Sequence, residues 1–370
     1  MILKNATVCN GNFEFEKTDI VFENGIITHI GKTQSEGTDC TGKVILPGFI
    51  DIHIHGCRKC DATDGNPGSV TGMSSFLAEH GITSFCPTTM TIPRDELEKS
   101  FGFVRDAMGG EPGAYIHGIN MEGPFISPAK KGAQAEEHIL NPDIEFFGKL
   151  ADICKVCLVD IAPEMPGADL FIKEISRRCR VSLAHSAAGY ETCMKAFGNG
   201  MSHATHLFNA MTQLNSREPG AVGAVFDSKT VTAELICDGI HISPATLRIA
   251  FSVLGKDRTV IISDSTMAAG LEEGEYTLGG QKVIKTDAVR LPDGTLAGSA
   301  TNLFDEFRNV ISYGIPLEQA VRSVTINPAK VIGADKTTGS ISEGKYADLI
   351  VLDESLSSVE NVIIKGRKVI

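Results

Sequence analysis

Residues 48–56 read GFIDIHIHG, an apolar run that ends in two histidines at alternate positions. Seven later segments are written the same way: ITSFCPTT (82–89), YIHGINMEG (115–123), VCLVDIAPE (156–164), VSLAHS (181–186), SHATHLF (202–208), VTAELICDGIH (231–241) and VIISDS (260–265). Each is short, almost unbroken in its hydrophobicity and closed by polar residues, which is the pattern of a strand buried on both faces. Helix-type patterns fill most gaps, at 93–108, 168–179, 244–254 and 302–313, and Pro93 and Pro244 stand where a first-turn proline belongs. Eight apolar strands alternating with helices predict an α/β fold, a (β/α)8 TIM barrel.

Such a barrel takes ~250 residues, and the chain has 370. The surplus lies mainly at the two ends, which resemble each other and not the middle. Runs at 2–9 and 20–30, with turn signals at Asn10-Gly11 and Asn24-Gly25, are matched by YADLIVLD (346–353) and VENVIIKGRKVI (359–370). Neither end buries much alone. Residues 1–47 and 336–370 together are therefore predicted to form a small β-sandwich domain, and 48–335 the barrel. A stretch at about 271–300, with turns at Gly279-Gly280 and Asp293-Gly294, reads as a β-hairpin insertion after the eighth strand.

Composition narrows the partners. Lys and Arg number 34 and Asp and Glu 46, a net charge of −12, so nucleic acid and anionic membrane surfaces, which need a basic field, are excluded as main partners. A small anion held by a few local cations is not. No apolar run approaches a membrane span, and MILKNATVCN has no apolar core behind a basic tip, so a signal peptide is not expected. The 10 cysteines are scattered along the chain, which points to free thiols and a cytoplasmic protein.

The polar residues are the informative ones. His53 and His55, Glu122, Glu164, His185, His206, Asp238 with His241, and Asp264 all fall at the carboxyl ends of strands, the face where such barrels place their active sites. His53 and His55 are two apart and share one side of the strand. Alone, H-x-H reads equally well as a polar strand end. Beside Glu122, His185 and His206, a two-nitrogen, one-oxygen set that leaves a position open, it reads as part of a metal centre, with His53 and His55 holding a second ion and Glu122 bridging. His117 and His203 have the opposite parity and are expected to face the helices, while His29, His80 and His138 sit in a turn, a helix end and a loop. Two C-x-x-C pairs, Cys57/Cys60 and Cys154/Cys157, are too far apart in sequence for a zinc ribbon. Buried thiols account for the second pair, and the first lies beside the metal face.

A divalent cation polarises carbonyls and acidifies water. Asp264, at the end of the last strand, is placed to take the water's proton and pass it to a leaving amine; Ser265-Thr266 would otherwise make it a helix cap. The chemistry indicated is hydrolysis of an amide or similar C–N bond. Zinc, iron, manganese and cobalt all suit these ligands.

On these residues the chain resembles the amidohydrolase superfamily. NMEGPF (120–125), LAHS (183–186), THLFNAM (205–211), SREPG (216–220), DGIH (238–241), SDSTMAAG (263–270) and LAGS (296–299) resemble, within it, the N-acetylglucosamine-6-phosphate deacetylase family, which releases acetate from N-acetyl-D-glucosamine 6-phosphate to give D-glucosamine 6-phosphate in amino-sugar catabolism. The resemblance implies Glu122, His185 and His206 as metal ligands and Asp264 as the acid/base. It implies substrate contacts from Ala133, Gln134, Asn209, Ala210, Arg217, Asp238, His241, Leu296, Ala297 and Gly298, with Arg217 and His241 on the phosphate. Where many members carry histidine after K-G-x, KKGAQ (130–134) places Gln134. Members differ in whether they keep H-x-H; this chain keeps it, so one or two cations per subunit are implied, two being favoured. The family's homodimers, with the phosphate site near the interface, imply a homodimer here. An N-acetylgalactosamine-6-phosphate deacetylase is the nearest alternative. A cyclic-amide hydrolase would place a carboxylated lysine at the end of the fourth strand, where Glu164 stands and Lys155 lies at the wrong end. A catalytically inactive barrel serving as a binding or assembly protein would be expected to have lost ligands.

Overall fold

The computed structural model describes residues 1–370. Every one of the expected interior strands forms: Phe49–Ile54, Ile82–Pro87, Tyr115–Ile116 resuming as Ile119–Met121, Val156–Ile161, Arg180–Leu183, His203–Ala204, Thr232–Ile236 and Thr259–Ile262. All pair in parallel, in sequence order, as one sheet of three and one of six strands. The division falls inside the third strand, at His117-Gly118, and Thr88 bridges to Asn120 across it. The sheet curls until its first and last strands meet: the Asp264 amide donates to the His53 carbonyl at 3.0 Å and the His55 amide to the Ser265 carbonyl at 2.9 Å.

Burial explains the sequence pattern. All six residues of Phe49–Ile54 are buried, because both faces of the strand are covered. Ile50 and Ile52 gather with Leu158, Ile236, Val260 and Ile262 of other strands in one cluster, against Ala329 and Val331 of the short helix Ile326–Val331. The helix Arg94–Ala107 buries Leu97, Phe101 and Val104, a single stripe at helical spacing. Pro93 caps this helix from outside rather than occupying its first turn. Pro244 does open the helix Pro244–Arg258, behind the Ser243 cap.

The two ends of the chain share one mixed sheet of eight strands, in which Lys43–Pro47 lies between Ile2–Cys9 and Leu349–Asp353. Alternation decides its two faces. Ile45, Leu349 and Val351 join Leu3, Val8, Ile20 and Phe22 in a cluster of their own. Val44, Leu46, Ile350 and Leu352 belong instead to the main core, so this face docks the sheet onto the interior strands and their helices. The Asn24-Gly25 turn, with φ of 51° and 83°, joins Phe15–Glu23 to Ile26–Ile30 as anticipated. The 271–300 stretch forms a three-stranded antiparallel sheet, Gly274–Leu278, Gln281–Lys285 and Val289–Arg290, one short strand more than the expected hairpin. No helix is long and apolar enough to cross a membrane.

Candidate active site

The strands deliver their polar residues to one end of the curled sheet. His53 lies within the first strand and His55 just beyond it, on the same side. His185, His206 and Asp264 lie past the ends of their strands, where the backbone turns through the left-handed region with φ of 42°, 29° and 47°. Non-glycine residues avoid that region, and three together mark backbone held in place by its surroundings. Gly298, at φ 60°, leaves room for this: a Cβ there would lie 2.8 Å from the Asp264 carbonyl oxygen.

Six side chains converge. Glu122 Oε1 stands 3.0 Å from Nε2 of both His185 and His206, whose Nε2 atoms are 3.2 Å apart, and 3.6 Å from His53 Nε2. Glu122 Oε2 stands 3.2 Å from His55 Nε2. Asp264 Oδ1 lies 3.3 Å from His55 Nε2 and 3.5 Å from His53 Nε2. The Nδ1 atoms decide what these distances mean. His53 Nδ1 donates to Glu234 Oε2 at 3.0 Å, His185 Nδ1 to the Lys130 carbonyl at 2.9 Å, and His55 Nδ1 to the Thr88 carbonyl at 3.3 Å. With the proton on Nδ1, the neutral ring turns an Nε2 lone pair inward, so nitrogen lone pairs and carboxylate oxygens face one another across a dry space. A cation resolves that arrangement, and imidazoles fixed through their second nitrogen are the usual metal ligands. Three triads could hold an ion, Glu122–His185–His206, His53–His55–Asp264 and His53–Glu122–Asp160.

Without an ion, the same groups can only protonate. Burial opposes charge on His55, but the Asp264 and Glu122 carboxylates outweigh it and push the imidazole up to about 10. Burial likewise disfavours ionised Glu122, yet hydrogen bonds from His185, His206 and His55 hold it well below the usual carboxylate range. Asp264 is lowered in the same way, burial being overcome by His55 and His53.

Two interior carboxylates have no counterpart in the sequence reading. Glu234, fully buried in the seventh strand, accepts from His53 Nδ1, from His203 Nε2 at 3.1 Å and from the His206 amide at 3.2 Å. His203, expected to face the helices, therefore points at this interior carboxylate; its strand is only His203–Ala204, and parity counted back from His206 fails because His206 lies beyond that strand in left-handed backbone. Asp160, fully buried in the fourth strand, accepts from Thr205 Oγ1 at 2.7 Å and is pushed up to about 8 by burial. His117 lies away from the centre, bonded to Ser84 Oγ of the second strand at 3.0 Å.

Above the converging groups opens a cavity of about 500 Å³, lined by His55, Glu122, His185, His206 and Asp264, and by Ala133, Gln134, Asn209, Ala210, His241, Leu296 and Gly298. Lys130 and Lys131 line it as well and were not singled out from the sequence. Gln134 does not simply face the cavity: it donates to Glu122 Oε2 at 2.6 Å and accepts from the Thr91 amide at 2.7 Å. Asp238 holds His241 through Nδ1 at 2.7 Å, and Ala297 is buried behind the wall. Arg217 is different. It is exposed on the 212–219 loop and lines a neighbouring surface hollow that shares only Lys130 with the cavity. Glu164 also stays outside, accepting from Ser186 Oγ and the Ala187 amide beyond a strand that already ended at Ile161. All the cysteines are free; Cys57 and Cys60 face each other across a two-residue turn, and burial pushes the Cys57 thiol well up.

The model of the Amidohydrolase family matches residues 44–369. The chain belongs to the amidohydrolase family. Among curated members, it is 36% identical over 318 residues to an N-acetylglucosamine-6-phosphate deacetylase of Bacillus subtilis, covering 84% of this chain and 80% of that one. It is 33% identical to an N-acetylgalactosamine-6-phosphate deacetylase of Escherichia coli O157:H7, covering 93% and 92%. Among solved amidohydrolase structures, a mutant N-acetyl-D-glucosamine-6-phosphate deacetylase from Mycobacterium smegmatis, in complex with N-acetyl-D-glucosamine-6-phosphate, superposes with a TM-score of 0.94 at 28% identity over 100% of this chain and 99% of that one.

Proposed function

We propose that this amidohydrolase hydrolyses the N-acetyl group of N-acetyl-D-glucosamine 6-phosphate, giving D-glucosamine 6-phosphate and acetate. The observation that carries this is the convergence of Glu122, His53, His55, His185 and His206 with Asp264 on the floor of a cavity whose wall also bears Lys130 and Lys131. Curated relatives bearing that activity support the same reading. The meeting of first and last strands supports a closed (β/α)8 barrel over 48–335, and the shared terminal sheet supports a sandwich domain from 1–47 and 336–370.

Glu122, His185 and His206 would hold one divalent cation, and His53 and His55 a second. Zinc, iron, manganese and cobalt fit these ligands. Bound there, a cation supplies a Lewis acid for the amide carbonyl and lowers the pKa of a water toward ~7. The chain's own residues do the rest. Asp264 is ionised at neutral pH, because its neighbours lower it, and accepts the proton of the attacking water. It returns that proton to the amine as the C–N bond breaks. Asn209, Ala210, Leu296 and Gly298 shape the wall against which the sugar is oriented. Lys130 and Lys131 supply positive charge for the phosphate, beside His241, which Asp238 orients through Nδ1. Arg217 is exposed within one chain; a homodimer with the phosphate site near its interface would bring an Arg217 to a cavity. Free thiols throughout suit a cytoplasmic enzyme.

Because one relative acts on the galacto epimer, the test uses both substrates. Acetate release is followed with each epimer's 6-phosphate and with unphosphorylated N-acetylglucosamine, on protein of measured metal content. The expected order is gluco 6-phosphate, then galacto 6-phosphate, then the unphosphorylated sugar. Preference for the galacto epimer would transfer the assignment to the alternative substrate, and no acetate from any of them would refute it.

A further inference from the structure

His53 Nε2 and Asp160 Oδ2 are among the nine buried side-chain atoms that lack any partner. Asp160 has no role in the scheme above and stands in no motif that points to chemistry. It is fully buried, and only its Oδ1 is used, by Thr205 Oγ1, which in turn lies 2.6 Å from Ser182 Oγ. An unpaired acceptor in such a place is costly, and a charged one more so. Yet one donor atom from each of Asp160, His53 and Glu122 lies within 4.8 Å of the other two, and drawing them in to the ~3.4 Å that separates tetrahedral ligands of an ion bound at ~2.0–2.2 Å would need only small side-chain shifts.

The surroundings favour Asp160 for this task over the other carboxylates. Gln134, fixed by the Thr91 amide, donates to Glu122 Oε2 at 2.6 Å and takes one of that oxygen's two lone pairs. Asp264 is needed for proton transfer. Glu234 is spent on three donors. Asp160 is the remaining carboxylate with an unused oxygen near the unused His53 nitrogen.

We propose that Asp160 is a ligand of the second divalent cation, held with His53 and Glu122 Oε1 deeper in the interior than the Glu122–His185–His206 site. The assignment rests on the metal-dependent reading above, puts Asp160 and Glu122 in the place of His55 at its second site, and leaves Asp264 free. It gives this chain an oxygen ligand from near the carboxyl end of the fourth strand.

The test is metal binding, not turnover. Metal-free protein is titrated with Mn²⁺ alone by calorimetry, and bound metal is counted after desalting, for wild type, Asp160→Asn and Asp160→Thr. Asparagine keeps the shape and an oxygen for Thr205; threonine is the second variant should asparagine not fold. Wild type is expected to bind two ions, the weaker one losing ~10–100-fold in affinity in either variant, with the tighter site unchanged. A purely structural role would shift only the melting of the metal-free protein and leave both affinities alone, which overturns the proposal. One ion in wild type and variants alike overturns it too, while leaving the deacetylase reading intact; no metal at all would sink both.

Discussion

Glu234 offers the sharpest test of how the centre is organised, because it touches no substrate and its three donors are known. In Glu234→Gln the amide group must put its oxygen at one carboxylate position and its NH₂ at the other. Oε2 receives both His53 Nδ1–H and the His206 amide, whereas Oε1 receives only His203 Nε2. The amide oxygen therefore takes the Oε2 position. The NH₂ then meets His203, which can change tautomer because its Nδ1 lies 2.6 Å from the Thr232 hydroxyl, able to donate or accept. No buried donor is orphaned. The loss is the difference between charge-assisted and neutral hydrogen bonds, about 1–3 kcal/mol of folding stability. Glu234→Ala instead strands three donors at ~1–3 kcal/mol each, about 3–9 kcal/mol, a large part of a typical total of ~5–15 kcal/mol. Removing the carboxylate also makes His53 a poorer ligand, for which ~10–100-fold in metal affinity is expected even in the folded glutamine variant. Urea denaturation of metal-free protein checks the first pair of figures, and calorimetric titration with Mn²⁺ the last. A glutamine variant as unstable as the alanine one would refute the tautomer argument; one with wild-type metal affinity would refute the orienting role.

Two further outcomes follow from the geometry. Asp264→Asn should retain metal and fold yet lose ~10²–10⁴-fold in kcat for acetate release, and unchanged turnover in a steady-state assay would remove Asp264 from proton transfer. Glu306, fully buried on the helix Leu303–Ser312, is raised well above the ordinary glutamate value by burial and by Asp238. A carboxyl whose folded pKa exceeds its unfolded one loses stability as pH rises between the two. Glu306→Gln, which still offers an oxygen to the Cys237 amide that Glu306 Oε2 receives at 2.6 Å, should therefore gain on wild type in urea midpoints from pH 4.5 to 8; a constant difference would show that Glu306 does not titrate in this window.

The fold was legible because burial on both faces leaves a mark on each strand separately: GFIDIHIHG and VIISDS announce themselves without their neighbours. The converging histidines and carboxylates were legible because they end strands, where an apolar run stops. Glu234 and Asp160 were not, since each sits inside a strand and is satisfied by partners far away in sequence; His53 and Glu234 are 181 residues apart. Local patterning carries no trace of such a pair. His203 was misread for a related reason. Alternation holds along a regular strand, and left-handed backbone at His206 breaks the count. Arg217 shows a further limit: a motif says which residue is present, not whether its loop folds into or away from its own cavity.

The pairing of Lys43–Pro47 with Leu349–Asp353 has a consequence for biosynthesis. Early in translation, the N-terminal strands have one another but not this neighbour, and Val44, Ile45 and Leu46 form an adhesive margin awaiting a segment still unmade. A ribosome that stalls before the final strands would release a chain with that margin open, prone to associate with its like. Completion of the polypeptide thus acts as its own quality gate.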